Sequence, residues 1–126
     1  MSEHSPYSDA VARLFRETPG AGRPDGPGWA NGEAREPLSA THVRWHLQAT
    51  GGRVAASRYE VRGCPHTIAA AALIANQLAG RPLTDLGLDL PRVAALLGCP
   101  AAKFGRLFVI QDAIARAAHV LAAEEA

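Results

Sequence analysis

Cysteine is scarce in this chain. Cys64 and Cys99 are the only two, which is too few for a disulfide framework. Both are expected to be free or functional thiols rather than a structural bridge. Lysine is scarcer still: Lys103 stands alone against twelve arginines. Cations nevertheless barely outnumber anions, and the formal net charge of +1 makes no case for nucleic acid or a membrane surface. No apolar run reaches the ~18 residues that a membrane-spanning helix needs. The first residues, Met1 to Pro6, are polar and unlike a signal peptide, so cytoplasmic residence is expected. There is no Walker loop, dinucleotide fingerprint, catalytic carboxylate pair or nucleophile elbow. An enzyme is not expected.

What is present fits one globular domain over residues 1–126. The chain is 48% hydrophobic and 20% charged, which is ordinary for such a domain. Tyr7, Val11, Leu14 and Phe15 form the stripe of a short amphipathic helix, with Ser5 or Ser8 as its cap. Glycine and proline crowd the stretch after Thr18, which predicts a loop over 18–37 that Trp29 pins to the body. A weak strand signal lies around Glu36 to Ala40.

From Thr41 the period becomes two. Val43, Trp45, Leu47 and Ala49 face one way, and His42, Arg44, His46 and Gln48 the other. Gly51-Gly52 is a hairpin turn. A second strand follows, in which Ala55, Ser57, Tyr59 and Val61 alternate with Val54, Ala56, Arg58, Glu60 and Arg62. Trp45, Tyr59 and Phe108 are expected in the core. The helical stretch after Cys64 begins at Pro65 and stops at Gly80. Asp89 caps a short helix that ends before Gly98. Cys99-Pro100 then opens a long final helix with a frayed tail over 122–126. Strands precede helices, so the expected class is α+β: a small antiparallel sheet with helices packed on one face.

Cys64 lies where a strand becomes a helix. The first N–H groups of a helix lack internal partners, and the helix dipole favours negative charge there. A cysteine so placed tends towards the thiolate. Of the candidates around it, Cys64 is weighed as a reactive thiol or metal ligand against a small buried packing residue. Cys99 is weighed as a resolving thiol or substitute ligand, with a buried neighbour of the Gly98 stop preferred. His66 could meet the thiolate or a metal, but a solvated side chain is the commoner outcome. His42 and His46 sit ~13 Å apart along one strand, too far to share a metal, and are read as solvated. His119 is read as surface. The basic hairpin (Arg44, Arg53, Arg58 and Arg62 against Glu60) is either a docking patch or a solvated face.

The order of parts resembles the IscU/NifU N-terminal-type iron–sulfur cluster assembly scaffold family. Tyr7-Ser8-Asp9 with Val11, Gly63-Cys64 with Ile68-Ala69, Gly80 with Leu83, and Lys103 with Gln111-Asp112-Ala113-Ile114 carry the resemblance over nearly the whole chain. It implies iron or a [2Fe–2S] cluster held by three cysteines with an Asp and a His. It also implies protein partners such as a cysteine desulfurase or a co-chaperone, with a homo-oligomer possible. Of the ligand positions Cys64 alone is kept. The others fall on Ser39, Thr41, Gly105 and Arg106, and the chaperone-recognition segment reads Cys99-Pro100-Ala101-Ala102-Lys103. Serine ligates iron poorly beside a thiolate, glycine offers no ligand, and Arg106 brings a fixed positive charge. The resemblance therefore implies a scaffold-like protein that handles iron or sulfur through Cys64, with Cys99 and His66 as weaker ligands and help from elsewhere. The alternatives are a non-catalytic binding or regulatory module that docks a desulfurase or another complex, and a thiol-redox protein using Cys64 and Cys99.

Overall fold

A computed structural model describes residues 8–18 and 20–125. Tyr7, Ser5 and Ala126, named above, lie outside those residues. The order is α1 (Asp9–Glu17), β1 (Trp29–Glu36), β2 (Thr41–Thr50), β3 (Arg53–Arg62), α2 (Pro65–Leu78), α3 (Leu90–Leu97) and α4 (Gly105–Glu125). Single 3-10 turns at Pro37–Ser39 and Ala101–Lys103 precede β2 and α4. The strands form one antiparallel sheet in the order β1-β2-β3. α4 lies across β1 and β2, α2 lies against β3, and α1 packs on α2. This is the α+β class expected.

Local chemistry explains most boundaries. Ser8 caps α1, its hydroxyl accepting from the Val11 N–H at 3.2 Å. Gly51 and Gly52 both take positive φ (60° and 76°), the geometry of the tightest hairpin turn. Asp89 caps α3 by accepting from the Arg92 N–H, and Gly98 closes it at φ 64°. Ala69 to Ala72 are all buried, so α2 approaches the sheet closely.

Several expectations are corrected. The loop over 18–37 is too long: Trp29 opens β1, and the paired strand continues to Glu36. The strand signal around Glu36 to Ala40 is instead a 3-10 turn, because Pro37 lacks the N–H a ladder needs. Gly32 is in the strand because α4 crosses it backbone to backbone. An added Cβ there would lie 2.2 Å from the Ala113 carbonyl oxygen. The faces of β3 swap near the hairpin. Gln48 pairs with Ala56 and Ala49 with Val54, so Ala55 is an extra, bulged residue and Val54 turns into the core. α4 begins at Gly105, after the tightened turn over Ala101–Lys103, and its last turns do not fray but remain helical to Glu125. Phe108 is 45% exposed, meeting Phe104 edge-on, while Leu107 and Ile110 take the core positions.

The inner face of the sheet carries the core. Trp45 and Tyr59 are buried and stack at 5.3 Å between ring centroids, with Val43, Leu47, Ala30 and Ala34 around them. Burying such side chains supplies the dominant stabilising term of a domain this size. The outer face is polar, with one surprise. His46 is only 7% exposed, not solvated, because it is tied to Glu60 at 3.0 Å. His42 goes instead to Glu33, so the two histidines serve separate carboxylates.

Candidate functional site

One end of the molecule gathers the residues singled out in the sequence. The β1–β2 turn brings Glu36, Ser39 and Thr41. The end of β3 brings Gly63 and Cys64. The segment after α3 brings Cys99 and Lys103, and the first turn of α4 brings Arg106.

Cys64 is the N-cap residue of α2, with extended backbone (φ −77°, ψ 165°). Its Sγ lies 3.4 Å from the Thr67 hydroxyl, one turn into the helix. Partial burial pushes this thiol's pKa up. The Thr67 hydroxyl, the Thr67 N–H, the Arg106 guanidinium and the His66 N–H together outweigh that effect and bring it below the ordinary cysteine value. Cys64 and Arg106 therefore meet, and the charge favours the thiolate.

Arg106 also acts on Glu36. The Glu36 carboxylate accepts from the Ser39 hydroxyl at 2.6 Å, and from the Ser39 and Leu38 N–H groups at 2.8 and 3.0 Å. The Ser39 hydroxyl is the main cause of a lowered Glu36 pKa, the N–H groups add to it, and Arg106 contributes from farther off. Ser39 and Thr41 join hydroxyls at 2.7 Å. Two of the positions matched to lost ligands thus form a hydroxyl pair that anchors a carboxylate. A third, Arg106, faces the thiol, and Gly105 leaves open space.

His66 is buried at 2% exposure. Lys103 Nζ donates to its Nδ1 at 3.3 Å, and its ring also meets the Gly98 carbonyl. Burial and the Lys103 charge lower its pKa, against the opposing pull of that carbonyl, so the imidazole is neutral at neutral pH. Cys99 is half-buried; burial and the Cys64 charge raise its pKa, while Lys103 and Arg106 partly offset them. The two thiols therefore feel each other, and Cys64 is the more acidic. His119 is exposed at the far end of α4.

Among the described residues no three His, Cys, Asp or Glu side chains converge as a metal-holding group. A tetrahedral iron pair needs about four protein ligands. Here the Cys64 thiol meets a guanidinium, the Glu36 carboxylate is hydrogen-bonded to Ser39, and the His66 imidazole to Lys103. The described residues do not fit a complete cluster ligand set.

The model of the NifU-like N terminal domain matches residues 7–125. The chain belongs to that family. Its fold is shared by solved structures of low sequence identity. A candidate iron–sulfur cluster assembly scaffold protein for the SUF system, from Fervidobacterium islandicum AW-1, superposes with a TM-score of 0.74 at 11% identity, covering 89% of this chain and 96% of that one. A nitrogen-fixing NifU-like protein (N-terminal) from Brucella abortus gives 0.69 at 17% identity, covering 94% and 95%. No curated protein matches the chain. Within this NifU-like domain no described helix is long and apolar enough to cross a membrane.

Two participants had no individual signal in the sequence. Thr67 lies one helical turn from Cys64, and the spacing i, i+3 brings the pair together once the helix start is known. Glu36 was readable only as the start of a weak strand, and its carboxylate reaches the site because Pro37 turns the chain there.

Proposed function

We propose that this NifU-like domain works in iron–sulfur cluster assembly as a scaffold-type protein whose own contribution is sulfur handling at Cys64. Membership of the family supports the assembly role. The observation that carries the finer reading is Cys64 at the N-terminus of α2, with Thr67 and Arg106 both favouring its thiolate. A thiolate there can attack the outer sulfur of a donor persulfide. A new S–S bond forms at Cys64, the donor's S–S bond breaks, and the donor leaves as a thiolate. The product is a Cys64 persulfide; its acidic S–H gives its proton to the departing thiolate, and the resulting anion stays beside Arg106. Nothing is turned over, so the protein is a carrier and not an enzyme. Iron is cargo in this reading, and any ligands beyond Cys64 come from a partner, such as a cysteine desulfurase complex, or from a small thiol.

The test pairs two treatments of the wild type and Cys64→Ser. Under a small persulfide donor the wild type gains the mass of one sulfur atom at Cys64, and the variant does not. Under anaerobic ferrous iron and sulfide, neither yields a stable chromophore alone. Failure of the sulfur adduct would overturn the sulfur reading. A stable, Cys64-dependent chromophore would show that the chain completes a cluster site without help.

A second reading is supported by the same incomplete ligand set. The domain would be a binding or regulatory module that docks a desulfurase or another complex without holding cargo. Partner binding unchanged by Cys64→Ser, with no adduct, would favour it.

A further inference from the structure

The outer face of the sheet holds a second cationic feature, which borders the Cys64 cluster at Glu36 and Thr41. The strand register sets its side chains in rows. Arg35, His42 and Arg62 lie abreast across β1, β2 and β3. The next row is Glu33, Arg44 and Glu60, and the third is Asn31, His46 and Arg58. Like charges directly opposite across strands destabilise a sheet. The first row has two arginines, a histidine and no carboxylate of its own.

The neighbouring carboxylates are already shared. Glu33 contacts His42 and lies 3.5 Å from Arg44 and 3.7 Å from Arg35. Glu60 holds Arg23 and His46, each at 3.0 Å. Arg62 is exposed and joins no ion pair among the described residues. Arg23, Arg35, Arg44, Arg58 and Arg62 thus face three carboxylates, Glu33, Glu36 and Glu60. The surplus of positive charge here exceeds the net charge of the whole chain.

Arg23, Arg35, Arg44 and Arg62, with Glu36 and Glu60, line a groove of about 870 Å³. One wall is the segment Ala21–Arg23, fixed alongside β3 where the Gly22 N–H donates to the Tyr59 carbonyl at 2.8 Å. The other is formed by Pro37 and Ala40 of the β1–β2 turn. The volume suits a small molecule, for which sites of about 300–1,000 Å³ are usual. Adjacent strands lie ~4.8 Å apart, so the Arg35 and Arg62 backbones are separated by about 10 Å and their long side chains can reach one ligand. Guanidinium groups bind phosphoryl and carboxylate oxygens through paired N–H donors.

We propose that this groove is a binding site for a small, multiply charged oxyanion. Arg35, Arg44 and Arg62 supply the main contacts, and Arg23 closes the rim. The ligand neutralises a row that the fold leaves uncompensated. The groove shares Glu36 and Thr41 with the Cys64 end, but its contacts are arginines of the sheet, so it stands whether or not Cys64 carries sulfur.

Calorimetric titration of the full chain with inorganic pyrophosphate, and separately with propane-1,2,3-tricarboxylate, tests the proposal. At least one probe is expected to bind with a dissociation constant below about 1 mM. Arg35→Gln and Arg62→Gln should each weaken it about tenfold or more, the scale of a lost charge-assisted hydrogen bond. Arg92→Gln, at an exposed position on α3 outside the groove, should leave it unchanged. Without ligand, Arg62→Gln should keep or raise the melting temperature, since it relieves repulsion. Preference for pyrophosphate would assign a phosphoryl ligand, and preference for the tricarboxylate a carboxylate one. The proposal is overturned if neither probe binds, if binding survives both groove variants, or if the loss follows Arg92→Gln instead.

Discussion

The two faces of the sheet follow different rules. The inner face is a sequence of fits: Trp45 on Tyr59, Val43 and Leu47 under α4, Gly32 against the α4 backbone. The outer face is a sequence of charges: three cations around Glu33, two around Glu60, and Arg58 and Arg62 in no ion pair among the described residues. Shape decides the first and charge balance decides the second. Packing has one best answer, and the inner face satisfies it almost everywhere. Charge can be left unbalanced on purpose, and the outer face leaves it so at one end. The fold is therefore written on the inner face, and the features open to a ligand lie on the outer face and at the sheet end beside Cys64.

The inner face should break most easily where the fit is tightest. Gly32→Ala would place a Cβ 2.2 Å from the Ala113 carbonyl oxygen and 2.4 Å from the Ala117 nitrogen. Both are backbone atoms of α4, so no side chain can swing away. The helix must move off β1 or the strand must bend. Overpacking of this kind costs about 3 kcal/mol, the upper part of the usual range. Denaturant unfolding measures it. A change under about 1 kcal/mol would mean that α4 does not seat on β1 as described.

The same glycine shows what was legible in the sequence. Period-two alternation over 43–49 marked β2, because Val43, Trp45 and Leu47 each bury in turn. Gly51-Gly52, Asp89 and Gly98 marked turns and caps, because each meets a local need. β1 was hidden. Its sequence, Trp-Ala-Asn-Gly-Glu-Ala-Arg-Glu, has weak strand formers, and its small inward residues (Ala30, Gly32 and Ala34) are dictated by an α4 that lies far away in the chain. Propensity yields there to tertiary packing. The bulge at Ala55 was hidden for the same reason. The register depends on a partner strand, and the 80–83 segment pairs with its far side. At the site, the strand-to-helix junction brought Cys64 to notice and the resemblance brought Arg106, and their contact was a matter of three dimensions. Glu36 and Thr67 needed the folded chain, since only the turn at Pro37 and the helix start at Pro65 bring them near.

On the outer face Glu33 is the single carboxylate shared by Arg35, His42 and Arg44. A hydrogen bond from His42 is the main cause of its lowered pKa. A small burial penalty opposes it, and the nearby positive charges assist. A carboxyl with a lowered folded pKa contributes stability above its unfolded pKa and loses it as pH falls through the folded value. Glu33→Gln should therefore lower the melting temperature at neutral pH. The gap between the two proteins should close on acidification below the ordinary carboxylate range, and should narrow in high salt. A gap that persists at both extremes would show that Glu33 acts by shape, and the contrast between the faces would fail there.

The smallest effect should run the other way. Ser57 sits on the inner face opposite Leu47, and its buried hydroxyl has no hydrogen-bond partner among the described residues. A buried hydroxyl without a partner costs free energy, and removing it recovers part of that cost. Ser57→Ala should be neutral or stabilising by up to about 1 kcal/mol, read as an unchanged or higher denaturant midpoint with an unchanged slope. On the outer face, replacing a polar group by alanine has no such gain available, because water already satisfies what the protein does not. A loss of stability at Ser57 would mean that the hydroxyl has a partner, such as a buried water, and that the inner face uses polar bonds as well as fit.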